Sequence, residues 1–157
     1  MPENSAPRRL DGLLRSIRGH IRTLGLPRPD RLVISTPSGS VHAEFTSGTA
    51  PDRLACLLVW AASLHGVELT WPLQAAGTLS VAATGRTASG ITLGLVASAS
   101  VLELGGKVKS GSGAVLAKAF RLSVCTPEQV TFDEVAQVVQ AARVASAAAV
   151  VLEVAAA

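Results

Sequence analysis

Between residues 54 and 102 only Glu68 and Arg86 carry a formal charge, and the stretch opens on an unbroken apolar run, Leu54 to Ala62. A helix that is apolar all round is buried on most sides, so this run predicts a central core helix. Thr49-Ala-Pro-Asp52 supplies its start, with a capping threonine, proline in the first turn and Asp52 three residues on. The helix is expected to run to about His65 and to stop at Gly66. Alternation follows. Val67 to Trp71 reads as a strand ended by Pro72, and Leu79, Val81 and Ala83 mark another. Gly85 to Gly90 reads as a turn, and Ile91 to Leu104 as a strand too long to run without a bend.

The strongest helical period lies near the N-terminus. Leu10, Leu13, Leu14, Ile17, Ile21 and Leu24 fall within an arc of roughly 100° at 100° per residue. Arg8, Arg15, Arg18 and Arg22 form a stripe on another side, with Asp11 among them and spaced to pair with Arg15. Gly25, Pro27 and Pro29 end the helix. Arg31 to Thr36 and Ser40 to Thr46 read as a hairpin with Pro37 and Gly39 in its turn. Val41, Ala43 and Phe45 face one way, and His42, Glu44 and Thr46 the other.

Gly105 to Gly113 is expected to be a flexible basic loop, and Val115 to Val124 a last strand. Thr131-Phe-Asp-Glu134 is a second capping box, opening a helix with Val135, Val138, Val139 and Ala142 on one face. The Ala/Val tail beyond 144 extends this helix or, over Val150 to Val154, forms a short strand. Hairpins with helices between them indicate an α+β fold with a mainly antiparallel sheet: hairpin, buried helix, three or more further strands, and a helix at each end. One domain is expected: 1–7 a loose tail, 8–25 the basic amphipathic helix, 31–125 the core, and 131–157 the C-terminal helix or tail.

Composition changes this picture in two ways. Charged residues are 16% of the 157, against about 25% for an ordinary soluble domain. So few charges cover a monomer's surface poorly, which points to self-association or a protein partner, with the interface on the charge-poor block 54–102. The charges present are also uneven. Residues 1–31 hold seven Arg against Glu3, Asp11 and Asp30, while the remainder nearly balances. That asymmetry makes nucleic acid the alternative partner, through Arg8, Arg15, Arg18 and Arg22. The region lacks aromatics for stacking and lacks Asn or Gln on the stripe for reading bases. The longest charge-free run, Leu69 to Gly85, contains Pro72, Gln74 and Gly77 and does not read as a membrane span. The opening Met-Pro-Glu-Asn lacks the order of a signal peptide, so a cytoplasmic location is expected.

Chemistry is sparse. His20, His42 and His65 lie on three different elements, and no nucleophile elbow accompanies them. His42-Ala43-Glu44 matches half of a zinc deaminase signature without the Pro-Cys-x-x-Cys half. Cys56 and Cys125 lie far apart and read as buried thiols, and no residues show metal-ligand spacing. Gly106-Lys107 is followed by Val108, which breaks the phosphate-loop pattern; Lys107 and Lys109 could at most hold an anion beside backbone N–H groups. Trp60 reads as core, while Trp71, at a strand end before Pro72, could be exposed at an edge and then form part of an interface. No cofactor and no metal are expected. The sequence therefore points to a non-catalytic interaction or structural protein.

Overall fold

Among the described residues the chain forms α1 (Ser5–Leu24), β1 (Arg31–Ser35), β2 (Ser40–Phe45), α2 (Ala50–Ala62), β3 (His65–Thr70), β4 (Thr78–Arg86) and β5 (Thr92–Ser100). It continues with β6 (Lys107–Lys109), β7 (Gly113–Leu116), β8 (Phe120–Ser123), β9 (Gln129–Val130) and α3 (Phe132–Ala156). The computed structural model describes residues 5–109, 113–124 and 126–157. A six-stranded sheet has the order β1-β2-β5-β4-β3-β9, and β6-β7-β8 form a second, smaller sheet. Among the described residues every strand pairing is antiparallel except β2 with β5, which run parallel; the isolated Leu73–Val124 bridge is parallel too. This is the mainly antiparallel α+β architecture that the patterning predicts.

The register explains the core. Val41, Ala43 and Phe45 stand beside Leu93, Leu95 and Ala97, which stand beside Gly85, Ala83 and Val81. Their side chains share one face of the sheet and are buried there. α2 lies across that face with Leu54, Leu57 and Trp60 fully buried. The opposite face carries His42, Glu44, Val96, Ser98, Ser80 and Ala82, all exposed or half-buried. α1 docks through Leu13 and Ile17, while Leu10 and Leu24 near its ends remain 37% and 51% exposed. α3 packs along α2 through Val135, Val138, Val139 and Ala142.

The caps form as the sequence predicts. Thr49 Oγ1 accepts the Asp52 N–H, and Thr131 and Glu134 complete a reciprocal capping box. Gly39 takes φ +64° in the turn after Pro37, a conformation open to glycine without Cβ strain.

Several boundaries differ from expectation. α1 begins at Ser5, earlier than the expected start at residue 8. α2 ends at Ala62, because the Ser63 N–H turns back to the Trp60 and Ala61 carbonyls, and His65 already belongs to β3. Gly85 lies inside β4 and not in a turn; a Cβ there would stand 2.9 Å from Leu64 Cβ. The long segment after Ile91 ends as a strand at Ser100 and folds into a turn at Val101 to Gly105. The expected basic loop contains β6, with Lys107–Lys109 paired to β7, and Gly113 begins β7; its residues 110–112 lie outside the described residues. The expected single strand from Val115 is two strands. Ala117 and Lys118 both adopt positive φ, 50° and 57°, in the tight turn between them. Three residues, Ala117 to Ala119, separate the paired Leu116 and Phe120; consecutive left-handed positions in a hairpin turn usually announce themselves by Asn-Gly, and Ala-Lys gives no such signal. Trp71 is buried, not an edge residue, and packs edge-on against Phe120 with ring centres 5.3 Å apart. Val150 to Val154 are helical.

Candidate functional site

The histidines do not assemble a reactive centre. His20 Nε2 lies 2.9 Å from Ser63 Oγ, a nucleophile-and-base pair by distance alone. The Ser63 hydroxyl, however, donates its proton to the Trp60 carbonyl at 2.6 Å. His20 Nε2 must then be the donor to Ser63, so it has no lone pair there to take a proton. Burial also pushes the His20 pKa down. Its ring leans on Trp60, and it ties α1 to the end of α2. His65 shares a surface cleft with His20, Ser63 and Ser89, without a carboxylate lining it. His42 lies over Gly94, where an added Cβ would meet its Nδ1 at 2.5 Å. Its neighbour Glu44 reaches Arg31 at 3.8 Å and not the histidine. Among the described residues no three His, Cys, Asp or Glu side chains converge. Cys56 is half-buried, and burial beside Asp52 raises its pKa away from thiolate; Cys125 lies outside the described residues.

The basic helix presents its arginines outward. Arg8, Arg15, Arg18 and Arg22 are all exposed on the side of α1 away from Leu13 and Ile17. Among the described residues none of them has a carboxylate within ion-pair distance, and the ion pairs formed are Arg31–Glu44, Arg53–Glu103 and Arg143–Asp52. The Asp11–Arg15 pair permitted by spacing is not formed. Arg18, Arg22 and Arg28 border a shallow groove floored by Ile21, Leu26 and Leu32, where α1 meets the edge strand β1. Lys107 and Lys109 are exposed on β6, two residues apart and so on one side of the strand.

The largest exposed apolar surface is on α3. From Arg143 to Ala156 every residue of the helix is exposed, although Arg143 still pairs with Asp52 and Ala145 lies beside Gly105. Val144, Val150, Val151, Leu152 and Val154 are 58–72% exposed. In the charge-poor block 54–102, by contrast, only Val59 and Leu102 are large apolar residues left exposed. That block owes its lack of charge to forming the interior, and the uncovered apolar surface lies elsewhere.

The two halves of α3 also use different sides. Val135, Val138, Val139 and Ala142 face the core. Continued along the helix at 100° per residue, that side carries Ser146 and Glu153, two of the three polar residues of the outer half; the third, Arg143, lies roughly 90° from it. Val144, Ala148, Val151 and Ala155 lie on the opposite side, roughly 160° away. A groove of ≈ 560 Å³ runs along that side, walled by Leu104, Gly105, Ala117 and Lys118. The Ala/Val tail hides this seam from a reading of the sequence. When nearly every position is apolar there is no contrast, and the seam emerges only once the core-facing side is known.

By length and composition alone α3 is apolar enough to cross a membrane, although no such segment is expected from the charge-free runs. Four of its residues are buried in the fold, and a span over this helix would have to withdraw them. Compared with protein families, with characterised proteins and with solved structures, the chain matches none.

Proposed function

We propose that this chain is a non-catalytic interaction protein that assembles with itself or a protein partner through the apolar surface left uncovered on α3. What carries the reading is the outer half of that helix, where five large apolar side chains are more than half exposed. A helix of this extent, about 21 Å long and about 10 Å across, has a lateral surface of roughly 650 Å². The largest apolar patch of a typical soluble monomer is about 300–600 Å². Here almost the whole circumference is Ala, Val and Leu. Light scattering over a concentration series, at low and high salt and after nuclease treatment, tests the reading. An assembly that grows with concentration and is insensitive to salt is the expected result. A monomer at every concentration, with no protein co-purifying, would sink it.

A second reading, binding to nucleic acid through Arg8, Arg15, Arg18 and Arg22, is favoured by one observation. All four arginines are exposed on one stripe, without acidic partners among the described residues. Such binding is electrostatic and falls steeply with salt.

A further inference from the structure

We infer that the occupant of the α3 groove is the α3 of a second copy, lying antiparallel, with Val144 of one chain opposite Ala148 of the other. This inference rests on the assembly reading and specifies its geometry. Gln137, Ala141, Val144, Ala148, Val151 and Ala155 are spaced alternately four and three residues apart. That is the 3.5-residue repeat of a coiled-coil seam. Its 19 residues, 137–155, extend about 28 Å along the side of α3 away from the core.

The sizes along the seam alternate as well. Ala141, Ala148 and Ala155 occupy one set of positions, and Gln137, Val144 and Val151 the other. In an antiparallel pair each set faces the other. A single register then places Gln137 against Ala155, Ala141 against Val151, and Val144 against Ala148, so every alanine meets a larger side chain. A parallel pair would stack alanine on alanine, leaving gaps, and valine on valine. It would also bring both folded bodies to the same end of the helices. The antiparallel register sends them to opposite ends.

The groove supplies the rest. Leu104, Gly105 and Ala117 stand beside Ala141 and Ala145, where the outer turns of the partner's helix would lie. The seam carries no charge, so nothing in it repels a second copy. Helix on helix alone, covering about a third of each lateral surface, hides roughly 300 Å² per chain, and the groove walls add to that. The total stays near or below the about 1,200 Å² where standard interfaces begin, so the dimer is a reversible one.

The test uses the full chain with Cys56→Ser and Cys125→Ser. Val144→Cys with Ala148→Cys should cross-link two chains on mild oxidation. Val150→Cys with Val154→Cys, equally exposed but off the seam, should not. In the wild type, sedimentation from micromolar to millimolar concentration should show a monomer–dimer equilibrium. Ala148→Glu places two buried carboxylates in each dimer and should weaken it more than about 100-fold, with the circular dichroism of the body unchanged. A dimer indifferent to Ala148→Glu, or cross-linked equally well off the seam, overturns this geometry while leaving assembly standing. A strict monomer overturns the second copy as occupant, and if no protein co-purifies with it, the assembly reading falls as well. A monomer that floats with phosphatidylcholine vesicles, and stops doing so on Ala148→Glu, assigns the seam to a lipid surface and overturns the second copy as occupant.

Discussion

Trp60 joins three parts of the chain. Its indole N–H donates to the Pro27 carbonyl at 2.7 Å, its ring meets Phe45 edge-on, and its backbone carbonyl accepts a hydrogen bond from the Ser63 hydroxyl. His20 closes this arrangement from α1, and its protonation state bears on stability. Burial lowers its folded-state pKa below the unfolded value of about 6.5. Between the two values the unfolded chain binds the extra proton. The contribution of His20 is therefore whole above pH 7 and is lost as pH falls through 6.5 towards the folded value. Urea midpoints at pH 7.5 and 5.5 should differ more for the wild type than for His20→Gln. An equal pH effect in both proteins would remove His20 from the account. The carboxylates Asp30 and Asp52 do not interfere. Backbone N–H groups of Thr46 and Ser47 hold the Asp30 pKa below its usual range, and Thr49 and Arg143 do so for Asp52, so both titrate below this window.

α1 and α3 each bury one side against the fold, but their exposed sides differ in kind. On α1 that side is arginine and makes no ion pair, so replacing it should cost the fold little. Arg15, Arg18 and Arg22 changed together to Gln, a comparable helix former, should leave the thermal transition within a few degrees of wild type. Any binding to heparin or duplex DNA at low salt should disappear. A collapse in stability would make the arginines structural; a wild type that binds neither polyanion would end the nucleic-acid reading. This stripe was fully legible in the sequence, because Leu13 and Ile17 alternate with charge at clear helical spacing. The α3 seam was not, because alanine and valine on every side give no contrast. The β7–β8 hairpin was missed for a different reason: Ala117 and Lys118 hold a left-handed turn without the residues that usually signal one.

For the molecule as a whole, hairpins, caps and helix order were legible, while the pairing of strands distant in sequence was not. The two sheets meet where Trp71 packs on Phe120 and Leu73 bridges to Val124. Trp71→Ala should cost about 3–5 kcal/mol, read from denaturant unfolding. A loss below about 1 kcal/mol would mean that the small sheet does not lean on this ring. Nothing local announces the parallel contact of β2 with β5, since each strand carries the same alternation it would show beside any neighbour. That contact pairs Ser40 with Thr92 and Phe45 with Ala97. It also sets a timetable for synthesis. At about 5–20 residues per second, β2 leaves the ribosome roughly 3–10 s before its partner exists. During that interval Val41, Ala43 and Phe45 wait without a neighbour on that side. A nascent chain halted before Thr92 is thus left with an open, sticky strand that only a chaperone or another chain can cover.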